Sequence, residues 1–107
     1  RDVAPSRGLG DVYKRQLLNR QKMYIDKDVF HIGKDSDYAD FYIGDNPAVS
    51  RAHADIVRQG DTYYIQDNNS KNHTYIAGQM VMPGQMMPLT NDTKIKIANE
   101  EFLFTLS

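Results

Sequence analysis

The sequence contains no cysteine. That excludes disulfide staples and thiolate metal sites, and it fits a reducing compartment, so a cytoplasmic location is the expectation. No apolar run is long enough to cross a bilayer as a helix, and no charged-then-apolar signal segment is present, so membrane insertion by this segment is not expected. A helical apolar period is missing throughout, and no segment repeats. Charge of one sign is also scarce, with a formal net charge of −1. Residues 1–16 hold Arg1, Arg7, Lys14 and Arg15 against Asp2 and Asp11, which leaves the rest of the chain mildly acidic. Such a chain lacks the basic footprint of a nucleic-acid binder, so no nucleic-acid partner is expected. Any anion it binds must be held by local geometry, not by the field of the whole molecule.

What the chain does contain is strand and turn. At 107 residues there is room for one domain and one core. Thr93-Lys94-Ile95-Lys96-Ile97 alternates as a half-buried strand should, and Phe102, Phe104 and Leu106 repeat the period after an Ala98–Glu101 turn. Arg51 to Arg58 places Ala52, Ala54 and Ile56 on one face and His53, Asp55 and Val57 on the other. Gln59-Gly60-Asp61 then turns into Thr62–Gln66, rich in β-formers. Shorter strands are expected at Leu17-Leu18, Met23–Ile25, Phe30–Ile32, Phe41–Ile43 and Thr74–Ile76, with Ala77-Gly78 as a turn. Turn signals at such intervals predict an all-β sandwich.

The first sixteen residues hold two glycines, a proline and no apolar period. They read as a disordered leader outside the fold, with the domain over residues 17–107. The tail of the leader, Gly8 to Gln16, resembles a translated sequencing or cloning adaptor, with a native linker as the alternative.

Three islands carry the chemistry: Gly33-Lys34, Ser50-Arg51-Ala52-His53 and Ser70-Lys71-Asn72-His73-Thr74. Each falls where a strand meets a loop, and each offers hydroxyl, amide or cationic groups. A hydrolase built on Ser50 and His53 lacks a partnered acid and a nucleophile elbow, so no catalytic residue and no enzyme activity are expected. Gly33-Lys34 is not a nucleotide phosphate loop, because Asp35 stands where Ser or Thr is required. His31, His53 and His73 show no metal-ligand spacing, and neither a metal nor a cofactor is implied. Met80, Met82, Met86 and Met87 read as gap-filling apolar cover. Arg51 and Lys71 taken singly are no more than solvated surface charge, and only their place within the islands raises them above it.

With the islands at strand ends, the chain from Leu17 to Leu106 resembles a forkhead-associated (FHA) domain, a family of phospho-motif readers. The family pattern is a Gly-Arg pair, Ser-x-x-His, then Ser-x-Asn-Gly-Thr. Tyr63-x-Ile65-x-Asp67 before the third island and Leu89-x-Asn91-Asp92 before the last hairpin fit as well. The resemblance implies a sandwich of about 11 strands whose loops Lys34–Asp37, Asn46–Arg51 and Asn68–His73 form a recognition end. It implies a phosphopeptide-binding module that recognises phosphothreonine on a partner protein without catalysis, as part of a larger protein. The alternative is the same fold used for phosphate-independent protein association.

Carried over residue by residue, phosphate contacts fall on Lys34, Ser50, Arg51 and Lys71, and Asn72 would bind the peptide backbone. Gly33, His53, His73 and Thr74 would shape the loops. A phosphate monoester brings about −2 charge and three strong acceptors, which these hydroxyl, amide and cationic donors suit. Two departures stand out. Lys34 replaces the usual arginine, so a bidentate fork becomes a more strongly hydrated point charge. His73 replaces the usual glycine at a position that suggests positive φ. Asn68, where the family usually carries an apolar residue, is expected to loosen the third loop.

Overall fold

The computed structural model describes residues 10–14 and 22–106. Within them lie the strands β1 (Gly10–Lys14), β2 (Lys22–Ile25), β3 (Val29–Gly33), β4 (Phe41–Tyr42), β5 (Ala54–Gln59) and β6 (Thr62–Asp67). They are followed by β7 (Thr74–Ile76), β8 (Gln79–Met80), β9 (Met86–Leu89), β10 (Thr93–Ile97) and β11 (Glu100–Leu106). No helix occurs among the described residues, and the all-β expectation holds.

Two sheets face each other. One runs β2-β1-β11-β10-β7-β8 and the other β4-β3-β5-β6-β9. All ladders are antiparallel except β3 with β4. The period-2 pattern explains what fills the space between them. Ile95 and Ile97 point inward from β10 while Lys94 and Lys96 stay in solvent. Phe30, Ile32, Ile56, Tyr63 and Ile65 answer from the second sheet, all at 2% exposure or less. Phe41 meets Phe102 edge-on at 5.3 Å between centroids, and Tyr63 lies 5.4 Å from Phe104. Each such buried ring or branched chain contributes about 1.5–3 kcal/mol relative to exposure.

Turn chemistry sets the hairpin registers. Ala77 and Gly78 both adopt positive φ (50° and 82°), the signature of a two-residue hairpin turn, and this pairs Ile76 with Gln79. The last hairpin turns on Ala98 and Asn99 alone, so Glu100 and Glu101 belong to β11 and not to a four-residue turn.

The expected leader needs correction. Gly10–Lys14 form β1, which lies between β2 and β11, with Gly10 opposite Leu106 and Lys14 opposite Phe102. A ladder is built from main-chain groups, so a short stretch without an apolar period can fill the slot. The fold thus reaches back at least to Gly10. The expected strand at Leu17-Leu18 lies outside the described residues. Strands β8 and β9 were not legible either, since neither alternates. Pro88 is tolerated within β9 because that strand is a sheet edge. Met80 in β8 and Met82 beyond it are exposed, contrary to their reading as apolar cover, whereas Met86 is half-buried and Met87 packs against the core.

Candidate functional site

The first island is set by a close crossing of two backbones. A Cβ at Gly33 would lie 1.9 Å from the carbonyl oxygen of Arg51, so only glycine fits. That crossing lets the Lys34 amide donate to the carbonyls of both Ser50 and Arg51, at 3.0 Å each. The first loop is therefore fixed to the second through main chain, whatever the Lys34 side chain does.

His53 holds the second island to the third. It is fully buried, not outward-facing as the alternation suggested, and it lies just before β5, which begins at Ala54. Its Nδ1 accepts the Ser50 amide at 3.0 Å, so Nε2 carries the proton and donates to the His73 carbonyl at 2.9 Å. Burial holds its pKa below the ordinary histidine value, so the ring is neutral. With both nitrogens spent on main chain, His53 is no general base for Ser50.

The third island hangs from Asp67, a residue the sequence reading passed over as a flank. Its buried carboxylate accepts the Ser70 amide at 3.0 Å, the Ser70 hydroxyl at 2.6 Å and the Thr74 hydroxyl at 2.7 Å. An Asp followed three residues on by Ser is the local signal that could have found it, since Asp side chains commonly bond the turn that follows them. His73 adopts φ 64°, as its glycine-like position required, and its carbonyl also receives the Ala98 amide at 3.1 Å. Asn68 does not loosen this loop. Its amide bonds the His53 carbonyl at 3.0 Å, and its side chain bonds the Tyr38 hydroxyl at 3.1 Å.

Ser50 is where the islands meet. Its hydroxyl oxygen accepts the Lys71 amide at 3.1 Å, and acceptance leaves its own proton to be aimed at a ligand. Two residues back, the Ala48 carbonyl accepts Nδ2–H of Asn72 at 2.8 Å. The second loop is pinned at its start by Asn46, whose Nδ2 donates to Asn99 Oδ1 and Glu100 Oε2, both at 2.7 Å, and whose Oδ1 accepts the Ala48 amide at 2.9 Å. Sequence reading missed Asn46 because its partners lie more than fifty residues away.

Lys34, Ser50, Arg51, Lys71 and Asn72 are thereby gathered on linked loops at one end, with Gly33, His53, His73 and Thr74 among the bonds that hold those loops. Arg51, Lys71 and Asn72 are exposed, and Lys34 and Ser50 are half-buried. Among the described residues, no carboxylate pairs with Lys34, Arg51 or Lys71. Unneutralised cations, a free hydroxyl proton and a half-engaged amide make a surface suited to an anion on an extended chain.

The family model described as FHA domain matches residues 30–98. The protein FraH of a Nostoc species is 37% identical over 89 residues, covering 74% of this chain, which spans about 30% of that relative's length. Among solved structures, the FHA domain of CT664 protein from Chlamydia trachomatis superposes with a TM-score of 0.83 at 20% identity, covering 92% of this chain and 98% of that one. Mycobacterium tuberculosis EmbR, solved in complex with a low-affinity phosphopeptide, gives a TM-score of 0.79 at 27% identity over 91% of this chain and 24% of its own.

Proposed function

The chain belongs to the FHA domain family, and from that premise we propose that it binds phosphothreonine on a partner protein and performs no chemistry. FHA domains are protein-interaction modules, and phosphopeptide complexes occur among the structural neighbours. The observation that carries the reading is the junction at Ser50. There a hydroxyl whose oxygen already accepts from Lys71 stands between loops bearing Lys34, Arg51 and Lys71.

In this reading the Ser50 hydroxyl donates to one phosphate oxygen, while Arg51 and the two lysines give charge-assisted bonds and offset the charge. One Asn72 amide hydrogen is engaged by Ala48, which leaves the side-chain oxygen and the second hydrogen for the main chain of the peptide. The domain serves as one module of a larger protein, as the span of its FraH match supports.

The test is a titration of phosphothreonine peptides and their unphosphorylated twins, with Ser50→Ala alongside. Charge-assisted hydrogen bonds are worth roughly 1.5–3 kcal/mol, so Ser50→Ala should weaken binding about tenfold or more. Equal binding of both peptide forms would replace the proposal with phosphate-independent association.

A further inference from the structure

Behind the recognition end lies a hydrogen-bonded group that none of the three islands contains. Tyr38 closes the turn after Lys34. In that turn the Tyr38 and Ala39 amides return to the Asp35 carbonyl at 3.0 and 2.9 Å, and Asp35 Oδ1 accepts the Asp37 amide at 3.0 Å. The turn lays the Tyr38 ring against His31, with centroids 4.4 Å apart and planes tilted by 40°. The Tyr38 hydroxyl donates to Asp55 Oδ1 on β5 and accepts Nδ2–H of Asn68 at 3.1 Å. His31 Nδ1 approaches the same carboxylate oxygen at 2.9 Å, so the acceptor is held from two sides. Burial and the adjacent Asp55 push the Tyr38 phenol well above its ordinary pKa, which keeps it a protonated donor.

The loops of the site are thus joined in pairs. The Lys34 amide ties the first to the second, and the Lys71 amide and Asn72 tie the second to the third. Tyr38 and Asn68 close the remaining side. An apolar residue at position 68, as the family usually has, could not make this bond, so the polar departure there has a partner specific to this chain.

We propose that Tyr38 and Asn68 are a positioning pair for the phosphothreonine site, fixing the separation between Lys34 on one loop and Lys71 and Asn72 on the other. The proposal rests on the phosphothreonine reading. Tyr38 touches no ligand in it. It acts through the loops, because hydrogen bonds to phosphate weaken steeply when a donor is displaced or misdirected.

The experiment compares the whole chain with Tyr38→Phe, Asn68→Leu and the double variant. The probes are a phosphothreonine peptide selected from a random phosphopeptide library and its unphosphorylated twin. Tyr38→Phe removes two hydrogen bonds, the one given to the Asp55 carboxylate and the one accepted from Asn68, and should weaken phosphopeptide binding by roughly three- to tenfold or more. Asn68→Leu breaks only the bond between the pair, so it should weaken binding measurably but no more than Tyr38→Phe. The double variant should be no weaker than Tyr38→Phe, since the shared link is already broken there. In Tyr38→Phe, amide exchange should quicken at Lys34 and Lys71 and stay unchanged at Ile56 and Ile65 in the strands. Full affinity in Tyr38→Phe, with phosphate preference intact in the parent, overturns the pair while sparing the reading. Equal quickening at Ile56 and Ile65 marks a merely structural role and overturns it too. Should Tyr38→Phe fail to fold, unchanged affinity in Asn68→Leu has the same force. A parent without phosphate preference removes the reading and the proposal together.

Discussion

The imidazole of His53 donates from Nε2 to the main-chain carbonyl of His73, 2.9 Å away and twenty residues on. One neutral side chain thereby bridges two loops of the candidate site, and its neutrality is a condition of the bridge. A proton added at Nδ1 would meet the Ser50 amide, itself a donor.

Stability should therefore depend on pH through His53. Burial lowers its pKa in the folded state below the ordinary value of 6.5, so the unfolded chain binds the proton more readily. The stabilisation is complete above about pH 6.5 and is lost as pH falls through the folded pKa. Melting temperatures from pH 8 to 5 should be level at first and then decline. In His53→Gln the decline attributable to this residue should vanish, from a lower starting stability. An equal acid decline in both proteins would show that His53 does not titrate in this way.

The crossing at Gly33 predicts a large effect from one methyl group. In Gly33→Ala the Arg51 carbonyl, 1.9 Å from the new Cβ, must move, and the Lys34 amide bonds move with it. Backbone displacement by overpacking costs about 1–3 kcal/mol, and phosphopeptide affinity should fall more than tenfold because two site loops share the crossing. Chemical denaturation and titration on the same samples separate the two losses. Wild-type affinity in a destabilised Gly33→Ala would show that the crossing serves the fold alone.

Lys34 predicts a salt effect. As a point charge on phosphate it should yield lower affinity and a flatter salt dependence when changed to Ala, while Lys34→Arg should preserve or improve binding by restoring a bidentate fork. Titrations at two salt concentrations suffice. An unchanged salt slope in Lys34→Ala would place that side chain away from the anion.

The sequence disclosed the core strands and the islands because both depend on local pattern. Ile95 and Ile97 alternate with lysines, and Ser50, Lys71 and Asn72 sit in fixed spacings at strand ends. What it hid depends on partners far along the chain. Asp55 looked like an outward strand residue, yet it receives the Tyr38 hydroxyl from seventeen residues away. Asn68 looked like a flaw in its loop until Tyr38 supplied a partner. His53 lies one residue before β5, and the alternation of that strand does not carry over to it: its ring is buried between the second and third islands by the Ser50 amide and the His73 carbonyl.

Strand β1 was hidden for a different reason, and it yields the last prediction. Its place is set by main-chain pairing with β2 on one side and β11 on the other, and β2 has no other ladder among the described residues. Deleting residues 1–16 would leave one side of β11 unpaired and β2 without a neighbour. For a domain of this size 1 kcal/mol corresponds to roughly 4–8 °C, and losing two ladders should lower the melting temperature by about 10 °C or more. The dependence should be on strand propensity in this slot, not on its particular sequence. Replacing Gly10–Lys14 by a five-residue alternation of Thr and Val should then retain the parent melting temperature, whereas five glycines should behave like the deletion. A truncated chain that melts with the parent would show that β1 adds nothing to stability, and residues 1–16 would stand as the dispensable leader their composition suggested.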